Sequence, residues 1–299
     1  MKLSALLLVL LALAASPFAQ DKPDKPDKPD EAAVRAKMQQ LADSLNYQKG
    51  EITIRGGLAK IHVPEGFRYL DAKDAGTVLT KIWGNPPGST TLGMLLPAKV
   101  SPASSASWAV IITYDEDGYV KDDEAEKMDY DKVLKEMKEG TREANKEREK
   151  DGYGSIELVG WATPPRYDKA THKMYWAKEL KFGGGGENTL NYNIRILGRR
   201  GVLVLNAVAA MPQLQDIEEA APAVLAMVDF QEGHRYTDFN ASTDKIATYG
   251  IAALVAGGLA GKAGLFKGLL VGILALKKLL IIPIVAAWAG LKKFFGKKE

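Results

Sequence analysis

Apolar segments near both ends of the chain restrict where a globular core can form. The first runs over 3–15, directly after Lys2, and the second occupies most of the chain from Ile246 onward. The region between them has the mixture of apolar and charged residues that is typical of a soluble domain. The sequence therefore predicts one globular domain at 31–244, preceded by a targeting segment and followed by a membrane segment.

The N-terminal segment has the pattern of a secretory signal peptide. A basic residue, a short apolar run and small residues up to Ala19 follow one another in that order. The apolar run is shorter than the ~20 residues needed to cross a bilayer. We expect a signal peptide at 1–19. Cleavage after Ala15 and an uncleaved N-terminal anchor are the alternatives.

An Asp-Lys-Pro triplet occurs three times in succession within 20–30. Proline at every third position favours the extended polyproline II conformation and prevents packing into a core. The segment 20–30 is therefore predicted to be a spacer.

The C-terminal part of the chain, 245–299, is predicted to be a membrane anchor with a basic tail. The segment 246–266 is apolar and about long enough to cross a ~30 Å hydrocarbon core. A second apolar stretch, 268–291, contains Lys277 and Lys278, and each lysine at a bilayer centre costs roughly 2.5–3.5 kcal/mol. One transmembrane span is preferred, and a hairpin of two spans is the alternative.

Glycines recur at small-xxx-small spacing through the second apolar region. This spacing places small residues on one helix face, where another helix can approach closely. It favours self-association or a tight hairpin, although glycine is also common in membrane helices generally. The glycines concerned are Gly257, Gly261, Gly264, Gly268 and Gly272.

The charge distribution indicates lipid rather than nucleic acid as a partner. The net charge is +3, but eight lysines lie between positions 262 and 298, so the remainder of the chain is mildly acidic. Phosphate-backbone binding needs basic residues clustered on the domain itself, whereas a basic tail suits anionic headgroups and a cytoplasmic location. We expect the protein at the bacterial cytoplasmic membrane with its main domain exported.

The region 31–244 alternates between helical and strand-like patterns and predicts an α+β fold with a mainly antiparallel sheet and flanking helices. A tight turn at Gly56-Gly57 predicts one hairpin, and short glycine-containing turns connect the later strands. The predicted helices are 31–45, a segment up to 83, 131–150 and 213–228. The predicted strands are 51–55, 58–63, 92–96, 108–114, 156–162, 174–182, 190–197 and 202–209.

Several short stretches resemble a family of bacterial membrane-anchored proteins known as domain of unknown function 2167. The stretches are 83–86, 118–125, 160–161, 165–168, 176–180, 191–199 and 244–250, and the resemblance covers roughly 56–261. It implies export and membrane anchoring. The family has no established activity, so the resemblance implies none for this chain.

Catalytic groups are weakly indicated, and we expect that the protein is not an enzyme. A hydrolase needs a nucleophile, a base and a group that orients the base, and no spacing in the sequence indicates such a set. If the domain were an envelope hydrolase, the candidates would be Asp168, His172 and Glu179. The chain has no cysteine, and its histidines lack the short spacing of metal ligands. No metal and no cofactor are predicted.

A polar strand face is the candidate binding surface. Because side chains alternate along a strand, Asn191, Asn193 and Arg195 share one face, and Arg199 follows in the next turn. The sequence favours a membrane-anchored extracytoplasmic domain that binds an envelope protein or another copy of itself. An envelope hydrolase and a glycine-rich device that oligomerises in or remodels the membrane are the alternatives.

Overall fold

The computed structural model describes residues 31–85, 88, 90–150, 154–183 and 186–256. The predicted signal peptide, spacer and membrane glycines (Gly257, Gly261, Gly264, Gly268 and Gly272) lie outside these residues. So do the apolar stretch 268–291 and residues 257–266 of the apolar segment before it. Among the described residues, no helix has the length and apolar character needed to cross a membrane.

The α+β prediction is confirmed: antiparallel sheets are flanked by helices. The helices are α1 (Glu31–Asp43), α2 (Ala72–Thr77), α3 (Tyr130–Lys150), α4 (Leu214–Ala226) and α5 (Ile251–Ala256). The strands are β1 (Glu51–Ile54), β2 (Ala59–His62), β3 (Phe67–Asp71), β4 (Gly93–Pro97), β5 (Ala109–Asp115), β6 (Ile156–Asp168), β7 (Lys173–Phe182), β8 (Thr189–Leu197), β9 (Val202–Ala210) and β10 (Val228–Phe230).

Seven strands form the main sheet in the order β3-β4-β5-β9-β8-β7-β6, and three form a small sheet in the order β1-β2-β10. The predicted hairpin at Gly56-Gly57 joins β1 to β2, and both glycines have positive φ, at 64° and 99°. Glycine adopts this left-handed conformation without a steric penalty. The hairpins from β6 to β9 are antiparallel, as the short turns predicted.

The structure corrects the sequence prediction at the end of α4. The predicted helix extended to Val228, but α4 ends at Ala226, and Val228 pairs instead with Ile61 in the small sheet. The helix pattern overran because Val228 and Phe230 are both apolar and both buried. A three-residue strand is too short to show the alternation by which strands are recognised.

Apolar side chains cover both faces of the main sheet. On one face, α4 and the small sheet bury Tyr192, Ile194 and Ile196 of β8 in the largest cluster. On the other face, α1 and α2 pack over β4 and β5, while α5 packs over β7, β8 and β9. Full burial of each large apolar side chain contributes about 1.5–3 kcal/mol relative to exposure. The clusters therefore dominate the folding energy.

The C-terminal end of the described chain packs into the domain. Ile251, Leu254 and Val255 of α5 are buried in the cluster with Trp176, and the Ala247 amide donates to the Tyr119 carbonyl at 2.8 Å. These residues fall within the stretch that hydropathy assigned to the membrane segment. Hydropathy measures apolar content alone, so it does not distinguish a core helix from the start of a span.

Gly198 provides a test of how tightly the largest apolar cluster is packed. A Cβ atom there would lie 2.5 Å from Cζ of Phe230, so Gly198→Ala must displace the ring that closes the largest cluster. We expect the free energy of unfolding to fall by about 1–3 kcal/mol, measured by urea denaturation of the full-length protein. Gly140→Ala in α3 is the control, since a Cβ atom there would meet no neighbouring atom within 4 Å; it should stabilise by up to roughly 1 kcal/mol. Equal changes in the free energy of unfolding for the two variants would contradict tight packing of the Phe230 ring against Gly198.

Candidate functional site

A partly buried carboxylate joins three separate chain segments. Tyr167 and Tyr236 donate hydrogen bonds to Asp122, at 2.5 Å to Oδ2 and 3.0 Å to Oδ1. Nδ1 of His172 lies 3.5 Å from Oδ2, and the His172 ring packs against that of Tyr236 with 4.1 Å between centroids. We refer to Asp122, Tyr167, His172 and Tyr236 as the Asp122 cluster.

The Asp122 cluster keeps its carboxyl group ionised. Burial raises the pKa of Asp122, but the hydrogen bonds from Tyr167 and Tyr236 lower it, and the pKa falls below its usual value. Burial and the adjacent carboxylate raise the pKa of both tyrosines. His172 has a φ of 54°, in the left-handed region that costs a non-glycine residue about 1–3 kcal/mol. The surrounding contacts therefore hold this histidine in place.

The three catalytic candidates from the sequence do not converge. The Asp168 carboxylate accepts hydrogen bonds from the Ala170 amide at 2.9 Å and the Thr171 hydroxyl at 2.7 Å, which close the β6–β7 turn. Glu179 accepts a hydrogen bond from Asn188 at 2.6 Å. His172 alone belongs to the Asp122 cluster, and the hydroxyl at its Nδ1 is that of Tyr167. An enzymatic role for these residues stays a prediction.

The predicted polar face exists, but its asparagines lie inside the protein. Asn191 and Asn193 are 4% and 2% exposed, and the Asn193 amide donates to the carbonyl and side-chain oxygens of Asn191. The strand register places Lys178 opposite Asn191 and Trp176 opposite Asn193. We refer to Trp176, Lys178, Asn191, Asn193 and Arg195 as the polar band. Because its asparagines are buried, direct partner binding by them stays a prediction.

The polar band carries a buried lysine and a partly exposed arginine. Burial and the neighbouring Arg195 lower the pKa of Lys178 to about 7, and burial lowers the pKa of Arg195 to about 10. The Arg195 guanidinium lies 5.1 Å from the centre of the Trp176 ring and donates to the side chain of Asn206 at 3.1 Å. Sequence reasoning did not single out Lys178, although its even spacing from Trp176 places both on one strand face.

Arg199 holds a turn in place. Its Nε donates to Asp244 Oδ2 at 2.6 Å, Arg200 Nε lies 3.3 Å from the other oxygen, and the carboxylate side chain is shielded from solvent. The hydrogen bond from Arg199 lowers the pKa of Asp244 to about 2. These contacts fix the β8–β9 turn to the segment that leads into α5. The binding role expected for Arg199 stays a prediction.

A groove of about 540 Å³ runs between α3 and the β6–β7 hairpin. We refer to it as the basic groove. Its lining residues come from α3, the start of β6 and the end of β7: Lys138, Thr141, Arg142, Asn145, Ser155, Ile156, Glu157, Leu158, Lys181, Phe182 and Gly183. The α3 members recur at helical spacing and so share one side of the helix.

Hydrogen bonds fix the spacing between the walls of the basic groove. The Asn145 side chain donates to the Ile156 carbonyl at 2.7 Å and accepts from the Ile156 amide at 2.8 Å. Within the described residues, Lys138, Arg142 and Lys181 form no ion pair. The sequence predicts the helix at 131–150 but not the groove, because the opposing strands cannot be inferred from helix spacing. Among the described residues, no group of three or more His, Asp or Glu side chains is arranged to hold a metal ion.

Comparison with protein families gives a match over residues 46–288, to a family described as "Protein of unknown function (DUF2167)". The chain belongs to this family. The match covers most of the chain and confirms the resemblance carried by the short stretches. The family description assigns no activity. A comparison with curated proteins gave no match.

Solved structures share only a distant likeness with the chain. PsbP from Synechocystis sp. PCC 6803 has 12% identity and a TM-score of 0.34 over 62% of this chain and 94% of its own. LpqN, described as involved in cell envelope biogenesis of Mycobacterium tuberculosis, has 14% identity and a TM-score of 0.32, with coverages of 64% and 95%. The Ran-binding protein Mog1p of Saccharomyces cerevisiae has 14% identity and a TM-score of 0.29, with coverages of 60% and 84%. At these TM-scores the likeness supports no functional conclusion.

We expect the Asp122 cluster to stabilise the folded domain measurably. Tyr167→Phe removes a hydrogen bond to a charged acceptor, so we expect a loss of about 1–3 kcal/mol in the free energy of unfolding at neutral pH. Because the folded pKa of Asp122 is depressed, this stabilisation is complete above the unfolded pKa of about 3.9 and is lost as the pH falls through the folded value.

The matched control for this prediction is Tyr175→Phe. Tyr175 is partly buried against the largest cluster, and its hydroxyl has no hydrogen-bond partner among the described residues. Chemical denaturation of both variants between pH 3 and pH 7 makes the comparison. If Tyr167→Phe and Tyr175→Phe lost the same stability at neutral pH, the tyrosine–carboxylate bond would contribute nothing.

Proposed function

We propose that the protein is an exported, membrane-tethered domain that binds an anionic amphiphile of the bacterial envelope in the basic groove. The observation that carries this proposal is the groove itself, whose lining combines three cations without ion-pair partners among the described residues with apolar side chains. The proposed role is binding rather than catalysis.

The rim of the basic groove suits an anionic group that carries oxygen acceptors. Lys138 and Arg142 are one helical turn apart on α3, and Lys181 lines the groove from the end of β7. Arginine binds phosphate and carboxylate oxygens through two parallel hydrogen bonds, whereas lysine acts as a point charge. A headgroup that neutralises these cations gains charge-assisted hydrogen bonds that solvent alone does not provide.

The floor of the groove indicates that the ligand also has an apolar part. Ile156, Leu158 and Phe182 also line the groove, and Ile156 and Leu158 are buried. A volume near 540 Å³ falls within the roughly 300–1,000 Å³ of small-molecule sites. A phospholipid headgroup with the first part of its acyl chains combines the required charge and apolar surface.

The charge balance of the lining residues favours a ligand with a small negative charge. Glu157 lines the groove and stands opposite Lys181 in the strand register, so it offsets part of the positive charge. Three cations and one acid leave a formal excess of two positive charges among the lining residues. A polyanion would meet the Glu157 carboxylate, whereas a monoanionic headgroup can bind at the α3 side.

Export and tethering rest on the chain ends. The predicted signal peptide and the proline-rich spacer precede the domain, and an apolar, lysine-rich segment follows it. These features, together with the family resemblance, support an extracytoplasmic domain that is held near anionic lipid. A groove for an anionic amphiphile is consistent with that location.

Charge reversal in the groove tests the binding role. We expect Lys138→Glu/Arg142→Glu to weaken binding of soluble short-chain phosphatidylglycerol by at least about tenfold, because two charge-assisted contacts of roughly 1.5–3 kcal/mol each are replaced by repulsion. Isothermal titration with the full-length protein measures the affinity, and short-chain phosphatidylcholine gives the baseline for a ligand without net charge.

The control variant is Lys132→Glu/Lys135→Glu, which changes the net charge equally on an exposed part of α3 outside the groove. It should retain nearly the affinity of the wild type. Equal weakening in both variants would indicate non-specific attraction, and equal affinity for the two lipids in the wild type would refute an anion-binding groove.

Protease treatment of spheroplasts tests export and tethering. With an epitope tag at the C-terminus, external protease should digest the domain while the tag survives, because the basic tail is expected to stay cytoplasmic. Digestion of both would indicate two spans. Protection of the domain in intact spheroplasts, with digestion after lysis, would refute export.

A further inference from the structure

We propose that the polar band is a second anion-binding site, in which Lys178, Arg195 and Trp176 bind a small oxyanion. This site is separate from the basic groove, to which none of these three residues contributes. Its expected ligands are acceptor-only groups of the phosphate or carboxylate type.

The polar band contains buried donors that lack acceptors. Trp176 is fully buried, and its indole N–H has no hydrogen-bond partner among the described residues. Lys178 is 2% exposed, and its ammonium group has neither a hydrogen bond nor an ion pair within the same part of the chain. Buried donors are normally satisfied, because loss of water without a replacement acceptor is costly. An unsatisfied indole N–H and an unpaired, nearly buried lysine on one strand indicate that an acceptor belongs between them.

The neighbouring groups do not supply that acceptor. The Asn193 amide group donates to the backbone and side-chain oxygens of Asn191. These two acceptors of the polar band are therefore already engaged. Arg195 donates to the Ile194 carbonyl and to Asn206, which are neutral. Asp115 is the acid whose charge acts on Arg195, but within the described residues it forms no ion pair with Arg195 or Lys178. The two cations therefore remain incompletely balanced by these neighbours.

The strand geometry brings the donors together. Trp176 and Lys178 are two residues apart on β7 and point to the same face. Arg195 on the adjacent strand β8 extends over the Trp176 ring. Side chains on neighbouring strands are separated by about 5–8 Å at the Cβ atoms, a span that a single oxyanion can bridge with two or three hydrogen bonds.

The polar band reaches solvent toward β9 and β5. Arg195 and Asn206 are partly exposed, as are Thr113 and Asp115 on β5. A small anion can therefore approach from this side without crossing the apolar clusters that cover the ends of the sheet. A large ligand does not fit this site, because Lys178 and both asparagines are nearly inaccessible.

Lys178→Met tests the proposal with little change in side-chain length. Thermal unfolding and isothermal titration of the full-length protein are measured with inorganic phosphate, sulfate and acetate at fixed ionic strength. We expect phosphate or acetate to raise the melting temperature of the wild type, and Lys178→Met to weaken that anion's binding by about 10–100-fold, as loss of one charge-assisted contact implies. Preference for phosphate indicates a tetrahedral ligand, and preference for acetate indicates a carboxylate.

Three further variants make the result decisive. Lys135→Met removes an exposed lysine of α3 and should leave anion binding unchanged. Trp176→Phe keeps an aromatic ring while removing the indole N–H, so it should weaken binding even if Lys178→Met folds poorly. Lys138→Glu/Arg142→Glu separates this site from the basic groove, since it should impair lipid binding and spare the small anion. Absence of any anion-dependent shift in the wild type, or loss of anion binding only in the groove variant, would overturn the proposal.

Discussion

Pairing between β5 and β9 is the contact on which the rest of the domain depends. Seven residue pairs, from Ala109 with Val208 to Asp115 with Val202, join the N-terminal strands β3–β5 to the C-terminal meander β6–β9. The pairing closes a long stretch of chain that includes α3, and such closure is entropically costly and slow. A Cβ atom at Gly201 would lie 2.2 Å from the Asp115 carbonyl oxygen. The end of this pairing therefore requires a glycine.

Local patterns predicted much of the fold, but they could not predict how its two halves meet. The meander followed from alternating strands and short turns, because antiparallel neighbours joined by few residues have little choice of partner. The β5–β9 pairing has no such local signal. The strand β6 also runs to Asp168 rather than to position 162, across Pro164 and Pro165. These prolines suggest a loop, yet β6 is an edge strand with register shifts, where missing amide donors are tolerated.

The candidate sites show the same division between local and non-local information. Strand alternation correctly placed Asn191, Asn193 and Arg195 on one face, but it could not show that this face is buried. That burial depends on elements distant in sequence, including α5 at one end of the face. Lys178 joins the polar band only through the register between β7 and β8. The basic groove likewise requires α3 and the β6–β7 hairpin to lie side by side, which no spacing within α3 encodes.

The packing of α5 changes how the domain and the proposed anchor relate to each other. Ile251, Leu254 and Val255 lie in the core, and one apolar side chain cannot fill both that core and a bilayer. While α5 is packed, a membrane span has to begin beyond Ala256, and the apolar sequence continues there without an intervening polar linker. The proline-rich spacer lies at the other end of the domain, so it cannot separate the domain from this anchor. On the proposed tether, the domain is therefore held close to the lipid surface, where an anionic amphiphile is available to the basic groove at high local concentration.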